Sequence, residues 1–93
     1  MILHHIQTSP NGDNGLKTCL RYIAANDTIL LSSDGIIALL QQQWINALAP
    51  FKVMLLKEDV IARGLAPHFN HYSQIDFNEF ILQTIEHEKV ITW

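Results

Sequence analysis

Ninety-three residues, 48% apolar and 16% charged, make one modest core with too few charges to coat every face, since about 25% is typical. Some apolar surface is therefore expected to lie against another chain. The net charge is −3, and the basic residues Lys17, Arg21, Lys52, Lys57, Arg63 and Lys89 are scattered, so no basic face is available for direct nucleic-acid binding. One cysteine excludes an internal disulfide and suits a reducing compartment. The start, Met1 to His5, has no basic region followed by a long apolar stretch, and no run approaches 18 apolar residues. The expectation is one soluble, cytoplasmic domain over residues 1–93 with no membrane contact.

Met1 to Ile6 reads as a strand that ends in the turn-rich Thr8 to Gly15. A helix is predicted from Gly15 to Ala25, with Leu16, Leu20 and Ile23 on one face and Asp13 or Asn14 as N-cap. Asn26-Asp27 breaks it. Thr28 to Ser32 is apolar on both sides, as a central parallel strand should be. Asp34 is placed to cap a helix over Ile36 to Leu40, and Gln41 to Ala49 is a second helix or its continuation, ended by Pro50.

Lys52 to Leu56 is the third strand. Glu58 and Asp59 open a short helix that Gly64 stops as a left-handed residue would. Residues 66–72 read as loop, and Ser73 to Asp76 as a very short strand. Asp76 caps a last helix on which Phe77, Phe80, Ile81 and Ile85 share a face, and Val90 to Trp93 is a final strand. The order β-α-β-α-β-α-β-α-β implies an α/β sandwich with a mainly parallel five-stranded sheet between layers of helices.

Chemistry in such a sheet gathers at the carboxyl ends of its strands, here Gln7–Gly12, Ser32–Gly35 and Leu56–Asp59. No phosphate-binding glycine spacing occurs there, and turns account for the residue types. Asp34, Glu58 and Asp59 could supply a general acid/base pair, but they follow strands, as helix caps do, and capping is the expected role. His68 and His71 have ligand-like spacing but lack a completing cluster, so no metal or other cofactor is expected. His4 and His5 alternate across a strand, which places one of them inward. Cys19 is the sole sulfur nucleophile. It is either a persulfide acceptor, which requires exposure and a lowered pKa, or a core filler beside the apolar face of its helix. No Ser-His-Asp arrangement is readable, and catalysis by the isolated chain is not expected.

Four segments resemble one family of small sulfur-relay proteins, TusB/DsrH. Leu3-His4-His5-Ile6-Gln7-Thr8-Ser9-Pro10 is similar to its Leu-His-x-x-x-x-Ser-Pro start. Leu30 to Ile36 is similar to its second strand ending in Asp-Gly, here Asp34-Gly35. Asp59-Val60-Ile61-Ala62-Arg63-Gly64 looks like its Asp-Leu-x-Ala-Arg-Gly, and Asp76-Phe77-Asn78-Glu79-Phe80 its Asp-Tyr-x-x-Phe. The terminal Trp93 also fits. The resemblance implies a DsrEFH-like three-layer fold and a non-catalytic subunit of a sulfurtransferase complex for 2-thiolation of the tRNA wobble uridine. The implied partners are TusC-like and TusD-like subunits in a heterohexamer, with TusA, TusE and the tRNA thiolase reached indirectly. The principal relay cysteine of that complex belongs to TusD. Cys19 falls where DsrH-type members carry a cysteine, so the resemblance also admits a direct persulfide carrier acting in sulfur oxidation.

Overall fold

In the computed structural model, which describes residues 1–93, the chain runs through five strands and their connecting helices. The elements are β1 (Ile2–Ile6), α1 (Gly15–Tyr22), β2 (Thr28–Leu31), a 3₁₀ helix (Ser33–Leu40), α2 (Gln42–Leu48), β3 (Lys52–Leu56), α3 (Lys57–Ala62), β4 (Ser73–Ile75), α4 (Phe77–Glu86) and β5 (Lys89–Thr92). The strands form one sheet in the order β4-β3-β2-β1-β5. Every pairing is parallel, with Leu3 opposite Thr28 and Val90, and Ile29 opposite Val53.

That order determines the layers. The chain steps from β1 to β4 in one direction, so right-handed crossovers put α1, the 3₁₀ helix, α2 and α3 on the same face. Between β4 and β5 it reverses, and α4 goes alone to the other face. Packing follows this division. Ile6, Ile29, Leu31 and Leu55 meet Leu16, Cys19, Ile36, Leu39, Leu48 and Val60 in a cluster of 12 buried residues. Under α4, Leu3, Leu30, Met54 and Ile75 form a cluster of four, with Phe80 against it.

The ends of the helices depart from expectation in places. α1 stops at Tyr22 because Ile23 is already extended (φ −68°, ψ 138°). Residues 33–40 wind as a 3₁₀ helix, and the extended Gln41 (φ −117°, ψ 125°) separates it from α2, so the two are not continuous. Asp34 does not cap that segment. Its carboxylate turns to the Arg63 guanidinium, 2.7 Å away. Gly35 lies so close to β1 that a Cβ would run into the Ile6 carbonyl.

Two expected helix ends are present. Asp76 Oδ1 accepts from the Glu79 N–H at 2.8 Å and caps α4. Gly64 is left-handed (φ +69°) at the end of α3. The Leu65 N–H returns to the Val60 carbonyl and the Gly64 N–H to the Ile61 carbonyl, each at 3.0 Å, which is a Schellman closure.

Nothing lies within 4 Å of a Cβ built on Gly64, so a side chain there meets only backbone strain. Gly64→Val is expected to cost about 1 kcal/mol or more, visible as a lowered melting temperature, while Gly64→Asn, which tolerates the left-handed region, costs less. Equal melting temperatures for the three chains would refute this.

Candidate functional site

The carboxyl ends of β1, β2 and β3 converge as anticipated, and their polar groups are committed to one another. The backbone N–H of Ser33 donates to Asp59 Oδ2 at 2.7 Å, and that of Phe77 donates to Glu58 Oε2 at 3.3 Å. Both acids therefore serve the N-termini of neighbouring helices, the 3₁₀ helix and α4, rather than their own α3. Ser33 is the one non-glycine residue with positive φ, +49°. Sequence reading had no signal for it. Its N–H is the group bonded to Asp59.

Both adjacent histidines are buried, whereas the alternation pattern placed one inward. β1 has a strand on each side and helices over both faces, so neither side of it is open. On the α4 face, His5 Nε2 lies 2.7 Å from Ser32 Oγ, with the Phe80 ring 5.2 Å away. Such reach would suit a nucleophile and its base, but both residues are buried and no carboxylate hydrogen-bonds the other ring nitrogen. Burial holds His5 below its ordinary pKa, partly offset by the Asp59 charge.

His4 enters a different network on the opposite face. The Trp93 indole N–H donates to His4 Nδ1 at 3.0 Å, and an indole can only donate. His4 is thereby the Nε2–H tautomer, and this proton goes to Asp27 Oδ2 at 2.9 Å. Asp27 also accepts from the N–H groups of Ile2 (3.0 Å) and Ala24 (3.1 Å). Burial alone would raise the Asp27 pKa, but the His4 hydrogen bond and the two backbone donors outweigh it and hold the carboxyl below its ordinary value. The sequence marked Asp27 only as a helix breaker. One carboxylate in fact ties together the start of β1, the α1–β2 turn and, through His4, the terminal tryptophan.

His87 is likewise internal. Its Nδ1–H donates to the Gln83 carbonyl at 2.7 Å, and its Nε2 accepts from the Thr28 hydroxyl at 3.1 Å. His68 and His71 are exposed in the loop before β4. No three histidine, cysteine or acidic residues stand together in metal-holding geometry.

Cys19 sits on the inward side of α1, in the same buried cluster as Leu16 and Leu31, and is fully buried. Burial, with a further push from the Asp27 charge, raises its thiol to about 11. In this conformation it is a protonated apolar group, not a thiolate.

The apolar face of α4 is the remaining unusual feature. Phe77, Ile81 and Ile85 do share a face, together with Leu82 beside it, but that face is turned outward. The residues lying against the sheet are Phe80, Gln83 and the following His87. No helix of the structure is long and apolar enough to cross a membrane.

An all-parallel five-stranded sheet with helices over both faces defines an α/β sandwich, here with a sealed thiol and an outward apolar helix face. Comparison with known proteins makes this specific. The family model described as "DsrH like protein" matches residues 8–90. Protein TusB of Escherichia coli O81 (strain ED1a) is 33% identical over 96 residues, covering 99% of this chain and all of the relative. Protein TusB of Shigella boydii serotype 18 matches with the same identity and coverage. Among solved structures, protein Tm0979 from Thermotoga maritima superposes with a TM-score of 0.65 at 27% identity, covering 95% of each chain. A conserved protein of unknown function from Bacteroides thetaiotaomicron reaches 0.73 at 12% identity, covering 99% of this chain and 94% of the other, and shares the fold. The chain belongs to the TusB/DsrH family.

Two of the three perturbed groups, His5 and Asp27, define an acid response. His5 is held low, so the unfolded chain binds the extra proton and stability falls as pH drops below about 6.5, the ordinary histidine value. Asp27 is also held low, so its contribution is complete above about pH 4 and is lost as pH falls through its folded value. Asp27→Asn leaves buried donors on a weaker acceptor and is expected to cost about 1–3 kcal/mol at neutral pH. Urea titrations at pH 7, 5 and 3 check this: the gap between wild type and Asp27→Asn should narrow at the lowest pH, and a constant gap contradicts the assignment. Thiol reagents should label Cys19 slowly in the native chain and quickly in denaturant. Equal rates would contradict its burial.

Proposed function

We propose that this chain is a non-catalytic assembly subunit of a sulfur-relay complex that serves 2-thiolation of the tRNA wobble uridine. Membership of the TusB/DsrH family supports a relay role, and the name TusB carried by its relatives supports the tRNA-directed branch. The observation that carries the non-catalytic part is the lone thiol, fully buried and held protonated. On this reading the partners are TusC-like and TusD-like chains, and persulfide sulfur passes from TusA towards TusE and the thiolase through a cysteine on the TusD-like chain. Cofactors have no part in it. The absence of a concentrated basic face in the sequence supports an indirect relation to tRNA.

The competing role, direct persulfide transfer through Cys19, requires α1 to lift off the core before the sulfur can ionise or meet a donor. Cys19→Ser separates the two. In a relay reconstituted with its partner subunits, an assembly role leaves the rate of thiouridine formation near wild type, whereas a carrier role abolishes it. Intact mass measurement after loading with labelled persulfide gives the same decision without turnover: no added sulfur on this chain is expected, and label on Cys19 that can be chased to an acceptor overturns the reading.

A further inference from the structure

We propose that the outward face of α4 is the docking surface for a different protein chain, one that presents an apolar patch rimmed by lysine or arginine. This rests on the heteromeric reading above and assigns it a surface. Phe77, Ile81 and Ile85 recur every four residues and are 56%, 45% and 74% exposed, with Leu82 beside them at 50%. From Phe77 to Ile85, eight helical rises, the stripe is about 12 Å long. The helix is turned the wrong way round for a free surface: Gln83 is buried and hydrogen-bonded to Glu79 at 3.1 Å, while the branched aliphatic side chains face water. The orientation is held at both ends, by Asp76 and Glu58 on the first turn and by His87 on Thr28 at the last. An amphipathic helix normally buries its apolar stripe, so this stripe is built for something outside the chain.

Charge selects the kind of partner. From Asp76 to Lys89 there are four acids (Asp76, Glu79, Glu86 and Glu88) against the single base Lys89, a net of −3. The whole chain also carries −3, so the side chains outside this segment balance by count. Glu88 pairs with the Met1 ammonium at 3.4 Å, while Glu58 adds a further acid at the N-terminus of α4, which leaves an acidic rim of Glu58, Asp76, Glu79 and Glu86. A second copy docked stripe to stripe would set like charge against like charge in a desolvated rim. A different chain with basic residues around an apolar patch meets both features at once.

The test uses the full chain co-expressed with its TusC-like and TusD-like subunits, with assembly followed by size exclusion and native mass spectrometry. Ile81→Glu/Ile85→Glu should weaken the heteromer by at least roughly tenfold while leaving the melting curve of the isolated chain unchanged. Gln42→Glu/Gln43→Glu, which adds the same charge on the exposed side of α2 across the sheet, should not. Glu86→Lys and added salt should each slow association. If wild type assembles and the Ile81→Glu/Ile85→Glu chain assembles equally well, the surface lies elsewhere and the relay reading stands. If the chain alone dimerises and that variant abolishes the dimer, the occupant is a second copy and the charge argument is wrong. If wild type assembles with neither subunit, the proposed partner and the relay reading fall together.

Discussion

One reversal in strand order controls most of this molecule. Parallel strands require crossovers, and crossovers onto a twisted sheet are right-handed. While the chain steps from β1 to β4 without turning back, each connection must land on the same face, and α1, the 3₁₀ helix, α2 and α3 pile up there with the larger core. The return from β4 to β5 on the far side of β1 sends a single ten-residue helix to the other face. A five-stranded sheet is roughly 20 Å across, counting strand spacings of about 4.8 Å, and one helix about 10 Å wide does not cover it. The thin layer is thus a consequence of topology, while the outward turn of its apolar stripe is set by the contacts of Phe80, Gln83 and His87.

The same reversal makes β1 internal. With β2 on one side and β5 on the other, its two histidines have no route to water and must find partners within the fold. They do so in opposite layers. His5 settles on a serine hydroxyl at the sheet's carboxyl end, and His4 on the Asp27 carboxylate at its amino end. Asp27 is the more consequential group, because a buried carboxylate must be surrounded by donors to remain charged. Its donors come from β1, the α1–β2 turn and, by way of His4, a hydrogen bond that reaches Trp93. Two chain ends are joined to the core by one ionised group.

This arrangement bears on chemistry too. Asp27 lies close enough to Cys19 for its charge to disfavour the thiolate, in the same direction as burial. The core that stabilises the chain thereby suppresses its only nucleophilic sulfur. At the sheet's carboxyl end, where parallel α/β proteins usually hold ligands, the acids are spent on backbone N–H groups and on Arg63. The outward side chains of α4, by contrast, stay exposed.

Local pattern was enough for much of the architecture. The alternation of apolar runs with turn residues placed all five strands, Gly64 announced its left-handed turn and Asp76 its cap, because these are set by neighbours within a few residues. The family was legible from Leu3–Pro10, Asp59–Gly64 and Asp76–Phe80 taken in order. The direction in which side chains point was not legible. Periodicity grouped Phe77, Ile81 and Ile85 on one face of a helix, but whether that face meets its own sheet depends on contacts made by Phe80, Gln83 and His87 with β1 and β2. Asp27 looked like a helix breaker because its partners lie 3, 23 and 25 residues away. The amino-acid sequence by itself determined the elements, their parallel crossovers and the kinship of the chain. Only the tertiary structure decided which histidines, acids and apolar faces are sealed and which are offered outward, since that depends on long-range packing that no local spacing encodes.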